Sequence, residues 1–254
     1  MDTAHCRDED RYFRTLVKMM QGQAYREMAA AQLFGYGLSL VPDLRLLEHF
    51  VWQIREETEH YKEVARMYLD FTGESIEPAV HSRLAARPIP FVQSFYELAM
   101  AQFLYDRGGF WQLSEYTESS YVPYRHLVQK IIREERGHQL FGERLVLELT
   151  QTGHFEDEKQ SDFERWLKQG LLSFGRPNTE GAQYAVRVGL RKRDPALVMQ
   201  DYLNDIKPAA LACGLVIPPL ASLGIEASEA VDSVISGAKS KRSELRDSIG
   251  FYDV

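Results

Sequence analysis

The chain has only two cysteines, Cys6 and Cys213, in 254 residues. They are too few for a disulfide framework and have no metal-type spacing, and a reducing cytoplasm is the expected compartment. Nowhere does an apolar run approach the ~20 residues that a membrane span requires. The opening stretch MDTAHCRDEDRYFR is charged throughout and has no apolar core of a secretion signal. Positive charge is also short. Lys and Arg number 30 against 37 Asp and Glu, a net charge of -7, which argues against nonspecific binding to nucleic acid. The basic run RVGLRKRDP is short and local and reads as a solvated face rather than an anion site. Also missing are an alternating apolar pattern long enough for a strand, a repeat of solenoid period and a low-complexity tract.

What is present is helix after helix, in a composition (44% apolar, 26% charged) ordinary for a water-soluble globular chain. The first helix is expected from about Asp8 to Leu38, closing at GYGLSLVPD. A second begins after Asp43, a residue type suited to N-capping, and stops near Gly73. The Pro-marked PAVHSRLAARPIP reads as a connector to a third helix, about Phe91 to Glu118. SSYVPYR makes the corner into a fourth, which ends near TQTGH. Four long helices with short breaks predict an all-α, antiparallel four-helix bundle, with its core at about 8–153. Shorter helices from Asp162 to Phe174, after GRPNTE, from Asp194 to Cys213 and from Glu226 to Ser248 form a C-terminal cover, about 154–254, on one domain spanning 1–254.

The second and fourth helices each carry Glu-x-x-His, as Glu57 with His60 and Glu135 with His138. One such motif arises by accident in charged helices. Here, however, both lie on apolar stripes: Phe50, Ile54, Glu57 and Tyr61 in one helix, Val128, Ile131, Glu135, His138 and Gly142 in the other. In the first helix Glu27 interrupts the stripe Met20, Ala24, Ala31, Phe34. In the third, Asp106 interrupts Phe95, Ala99, Gln102, Phe110, Leu113. Glu97 and Glu115 are each nine residues from Asp106, about half a turn away at ~100° per residue, and are expected to face out. Burying carboxylates without compensation costs several kcal/mol, and a shared metal centre supplies the compensation. One acid from each of two helices plus Glu-x-x-His from each of the other two is the di-iron or di-manganese carboxylate arrangement of ferritin-like bundles.

An extra acid precedes each motif. Glu56 and Glu134 suit hydrogen bonds across the bundle, Glu56 to His138 and Glu134 to His60, or a plain solvated face. His49, His81, His126 and His154 lack such a setting and read as structural or surface residues. Phe103, Phe110 and Trp111 flank Asp106 and suit either an aromatic substrate pocket or ordinary core.

The stretch YDRGGFWQLSEYTESSYVPYRHLVQKIIREERGHQLFG resembles the catalytic-subunit family of ring 1,2-phenylacetyl-CoA epoxidase, a bacterial multicomponent di-iron monooxygenase. The family pattern of an Asp, a Ser-Tyr-x-Pro-Tyr corner and Glu-Glu-x-x-His matches Asp106, Ser120 to Tyr124, and Glu134 to His138. QAYREM and REETEH match its earlier acids at Glu27 and at Glu56 to His60, and LLSFGRPN and CGLVIPP resemble later segments, so the likeness runs from about Lys18 to Pro219. Two departures stand out. Gln53 occupies a position where the family pattern has Lys, and the tail after Pro219 is shorter and unlike the family's. The family's noncatalytic subunit has lost metal ligands, whereas all six are kept here, so the chain looks catalytic. The resemblance implies two iron ions (or a manganese–iron pair), dioxygen as co-substrate, and electrons from a flavin and iron–sulfur reductase. It further implies oxygen insertion into an aromatic ring held as a coenzyme A thioester, with a structural subunit or a second copy as partner and neither membrane nor nucleic acid. A ferritin-like oxygenase acting on a non-thioester substrate, a ferroxidase and a metal-free structural subunit are the alternatives.

Overall fold

The computed structural model describes residues 3–153 and 157–226. His154, the side chain of Cys6 and all but the first residue of the helix expected from Glu226 to Ser248 lie outside them. Helix α1 (Thr3–Gly37) leads through a 3-10 turn into α2 (Leu44–Thr72). The Asp43 carboxylate accepts from the Leu46 N–H at 2.9 Å, and Gly73 ends the helix at φ 76°, so both expected stops of this helix are where the residue types place them.

The expected connector is in part a helix, α3 (Glu77–Ala86). Pro78 sits in its first turn, where the missing N–H leaves no bond unmade, and Val80 anchors it in the core. Pro88 and Pro90 keep Arg87 and Ile89 out of helix, and the third long helix starts at Phe95, where the Ser94 hydroxyl caps it by accepting from the Glu97 N–H, rather than at Phe91. That helix is broken in the middle. Segment α4 (Phe95–Ala101) passes through a π-helical turn, Gln102–Asp106, into α5 (Arg107–Ser114). Helix α6 (Val122–Thr150) completes the four long elements, and α7 (Lys159–Leu172), α8 (Glu180–Arg187) and α9 (Pro195–Ala212) follow. Among the described residues the structure is helical, with no strand, and no helix is long and apolar enough to cross a membrane.

Helix α1 lies along α2, and the interrupted helix lies along α6 and α7. Two apolar clusters fill the interior, and each long helix runs from one to the other. Helix α1 contributes Ala24 to one cluster and Ala30 to the next; α2 contributes Val64 and Phe50, α6 contributes Ile131 and Leu145, and the interrupted helix contributes Leu113 and Leu104. Glu27, Glu57, Asp106 and Glu135 lie between those pairs in sequence, so the four acids share a polar layer between two dry ones.

Two expectations fail where the cover meets the bundle. Glu97 and Glu115 do turn away from the polar layer, yet both are only 1% exposed. Glu97 accepts from Arg165 at 2.5 Å and from the Trp166 indole at 3.0 Å, while Glu115 accepts from Arg193 at 2.7 Å. The face opposite Asp106 is covered by later helices, which periodicity within one helix does not reveal. For the same reason RVGLRKRDP is not a solvated face: Leu190 and Arg191 are buried and Arg193 is held by Glu115 and Asp201.

Candidate metal centre

One ligand atom each from Glu27, Glu57, His60 and Glu135 come within 4.8 Å of one another, all four residues buried. His60 Nδ1 stands 3.5 Å from Glu27, 3.9 Å from Glu57 and 3.8 Å from Glu135. His138 Nδ1 approaches Glu57 at 3.3 Å. Asp106 stands at the edge of this group; with Glu27, Glu57 and Glu135 it lines a small cavity of about 10 Å3.

The outer nitrogens of both imidazoles are engaged. His60 Nε2 is 2.6 Å from Glu134, and His138 Nε2 is 2.8 Å from Glu56. A carboxylate accepts only, so each Nε2 carries a proton and each Nδ1 faces the buried acids, that of His60 toward Glu27, Glu57 and Glu135 and that of His138 toward Glu57. His60 Nδ1, His138 Nδ1 and Glu57 Oε1 are all buried without a hydrogen-bond partner. Buried polar atoms are seldom left so. This donor set of carboxylate oxygens and bare imidazole nitrogens fits a metal ion, and the cluster can hold one.

Without a cation the layer is balanced by protons. Burial, joined by the charge of Glu57, drives Asp106 and Glu135 well above the usual carboxylate range, and burial raises Glu57 as well. Glu27 shifts the other way: burial would raise it, but the facing His60 together with Glu57 and Gln23 outweighs burial. Burial opposes a charge on the imidazoles, but the carboxylates win: Glu27 lifts His60 to about 10, and Glu56 and Glu57 lift His138 to about 12. A metal ion would displace those protons.

Further groups complete the surroundings, and the apolar stripes had hidden most of them. Gln23 donates to Glu27, one turn away. Gln53 donates to Asp106 Oδ2 at 2.8 Å, and its own carbonyl accepts from Gln102 at 2.6 Å, which fixes the orientation of the amide. Gln102 in turn meets His49 at 3.3 Å, and His49 stacks on Phe141 with ring centroids 3.6 Å apart. Gln53 and Gln102 stand four residues before Glu57 and Asp106, one turn along the same stripes, and that spacing was the available signal.

Beside the layer opens a cleft of about 920 Å3. Its wall carries Lys18, Arg26, Arg83, Arg87, Arg176 and Arg191, with Glu226 as its one acid among the described residues. Phe103, Phe110 and Trp111 line neither the cleft nor the cavity. Phe103 is buried beneath Arg107, and the Trp111 indole donates to Asp205 at 2.9 Å.

No curated protein matches the chain. A family model described as phenylacetic acid catabolic protein matches residues 79–229. The matched part contains Asp106 and the Glu134-to-His138 motif, while Glu27, Glu57 and His60 lie before it and join the site through geometry. With more than half of its length matched and its buried Glu and His side chains gathered at one point, the chain belongs to the phenylacetic acid catabolic protein family.

Proposed function

We propose that the protein is a di-iron oxygenase of this family, inserting one oxygen atom of dioxygen into an aromatic or acyl substrate carried as a coenzyme A thioester. The observation that carries the reading is the pair of buried imidazoles, each with Nε2 held by a carboxylate and Nδ1 bare toward the acids. Glu27, Glu57, His60, Asp106, Glu135 and His138 would hold the ions. Bound iron would supply the redox chemistry with dioxygen that no side chain provides. Glu56 and Glu134 keep the imidazoles in one tautomer, and Gln53 holds Asp106 through Oδ2. The two apolar clusters keep water from the layer.

The cationic cleft supports the thioester substrate. Coenzyme A is a polyanion, and Lys18, Arg83, Arg87 and Arg176 match its phosphates in charge. A separate reductase would deliver electrons. The expected result is about two irons per chain after production with iron, as the six-ligand bundle arrangement requires. Glu57→Ala and His138→Ala should lose most of that metal while circular dichroism stays helical. Reductant-dependent oxygen uptake should rise with aryl thioesters and not with the free acids. Full iron retention in both variants would overturn the site, and equal uptake with thioester and free acid would overturn the substrate class.

A further inference from the structure

The cleft and the acid-lined cavity share two lining residues, Arg26 and Tyr105. The remaining residues around the cavity, among them Glu27, Glu57, Asp106 and Glu135, do not reach the cleft. These two side chains are therefore the partition between the two spaces.

The partition is pinned on both sides. Arg26 Nη2 donates to the Tyr105 carbonyl at 3.2 Å, and the guanidinium lies 4.6 Å from the centre of the Tyr105 ring. Tyr105 precedes Asp106 in the π-helical turn, so this contact ties Arg26 to the wall of the cavity. Arg26 Nη1 donates to the Ser173 hydroxyl, which belongs to the wall of the cleft. Gly109 makes room for the arrangement: a Cβ there would stand 2.6 Å from Arg26 Nη2 and 3.4 Å from Glu135 Oε2. The cation thus fills the gap between the helix and the acids.

Its partners distinguish it from a fixed structural arginine. Arg107 of α5, buried as Arg26 of α1 is, is held by two carboxylates, Glu143 and Asp205. Arg26 is held by a carbonyl and a hydroxyl, both neutral, and the hydroxyl is only partly buried. Neutral acceptors bind a guanidinium less tightly than carboxylates do, and an incoming acceptor can replace them. We infer that Arg26, latched by Ser173 and backed by Tyr105, is the bolt between the substrate cleft and the metal layer, and that small molecules reach the layer through the cleft when this bolt releases. Arg26 is a positioning residue here: it admits and orients what enters and is not itself placed among the ligands.

This inference rests on the proposed function, and the test separates the two. Protein loaded anaerobically with iron(II) is mixed with bipyridine, and iron release is followed by absorbance. Arg26→Met should release iron about tenfold faster than wild type, the scale of losing one hydrogen bond from a charged donor. Ser173→Ala, a change at a partly buried hydroxyl, should be faster as well, which keeps the test valid if Arg26→Met folds poorly. Arg26→Lys, which keeps a cation able to reach Ser173, should restore slow release. Val51→Ala, on the exposed outer face of α2, should behave as wild type. Equal release rates in Arg26→Met, Ser173→Ala and wild type would overturn the bolt alone. A wild-type chain that takes up no iron would overturn the proposed function, and the bolt with it.

Discussion

Glu56 and Glu134 each stand one residue before a buried glutamate, about 100° round the helix from it, which turns them toward the neighbouring helix. There each meets the imidazole of the other motif, so the two Glu-Glu-x-x-His segments lock each other reciprocally. Such a carboxylate fixes ring orientation and raises the basicity of the inward nitrogen, and its loss typically costs about 10–100-fold in metal affinity. Glu56→Gln and Glu134→Gln should each weaken iron binding by about tenfold or more on that scale. Glu59 pairs with Lys62 on the exposed outside of the bundle at 2.8 Å and the half-buried Glu63 with Lys130 at 2.5 Å, both away from the imidazoles, and pairs open to solvent contribute little. Glu59→Gln and Glu63→Gln should therefore leave the iron titration unchanged. Four coincident titration curves would return Glu56 and Glu134 to ordinary surface acids.

The π-helical turn is the element on which Asp106 depends. An i→i+5 turn takes in one more residue than an α turn and frees carbonyls from the regular ladder. Leu104 O, which takes the Arg107 N–H at the end of the turn, also accepts from the Tyr202 hydroxyl of α9 at 3.0 Å, so the cover reaches the backbone of the turn itself. On the other side α6 approaches the turn through Gly142, where a Cβ would lie 2.5 Å from Phe103 N and 2.7 Å from Gln102 C. Backbone cannot swing aside as a flexible side chain does. Gly142→Ala should thus cost about 1–3 kcal/mol of stability, the range for overpacking in a close-packed core. It should also weaken iron binding, because the shift falls on the segment carrying Gln102 and Asp106. Denaturant melts of the metal-free protein and iron titrations measure the two effects separately; an unchanged midpoint would show that the helices part without cost.

At the scale of the whole molecule, the cover is fastened to the bundle through the two acids that point away from the metal layer. Glu97 ties α4 to Arg165 and Trp166 of α7, and also accepts from the Gln93 N–H at 2.6 Å. Glu115 ties the end of the interrupted helix to Arg193 ahead of α9. Both arginines are more than a third exposed, so solvent partly compensates them when a carboxylate is removed. Glu97→Ala and Glu115→Ala should each cost about 1.5–3 kcal/mol, the range for hydrogen bonds to charged groups. Iron content should stay near wild type. A loss of iron with unchanged stability would mean that these acids belong to the metal layer after all.

Helix identity, the ends of α2, the all-α class and the two Glu-x-x-His stripes were legible in the sequence. Each of these signals is local: a cap acts over three residues, and a stripe repeats every three or four. Within one helix, spacing also showed that Glu97 and Glu115 turn away from Asp106. What lies on the far side of a helix is a different matter, because it depends on the register of elements distant in sequence. Tertiary structure alone decided that α7 and the segment before α9 bury those two acids, and that RVGLRKRDP serves as the anchor of Glu115. It also decided that Gln53 and Gln102 join His49 to Asp106 through a polar chain. The same holds for Arg26, an unremarkable residue beside Glu27 in QAYREM. It became the partition between two cavities only when Tyr105 and Ser173, 79 and 147 residues away, were folded against it. A contact across such a span leaves no periodicity in the chain, since its partners are chosen by how whole helices stack.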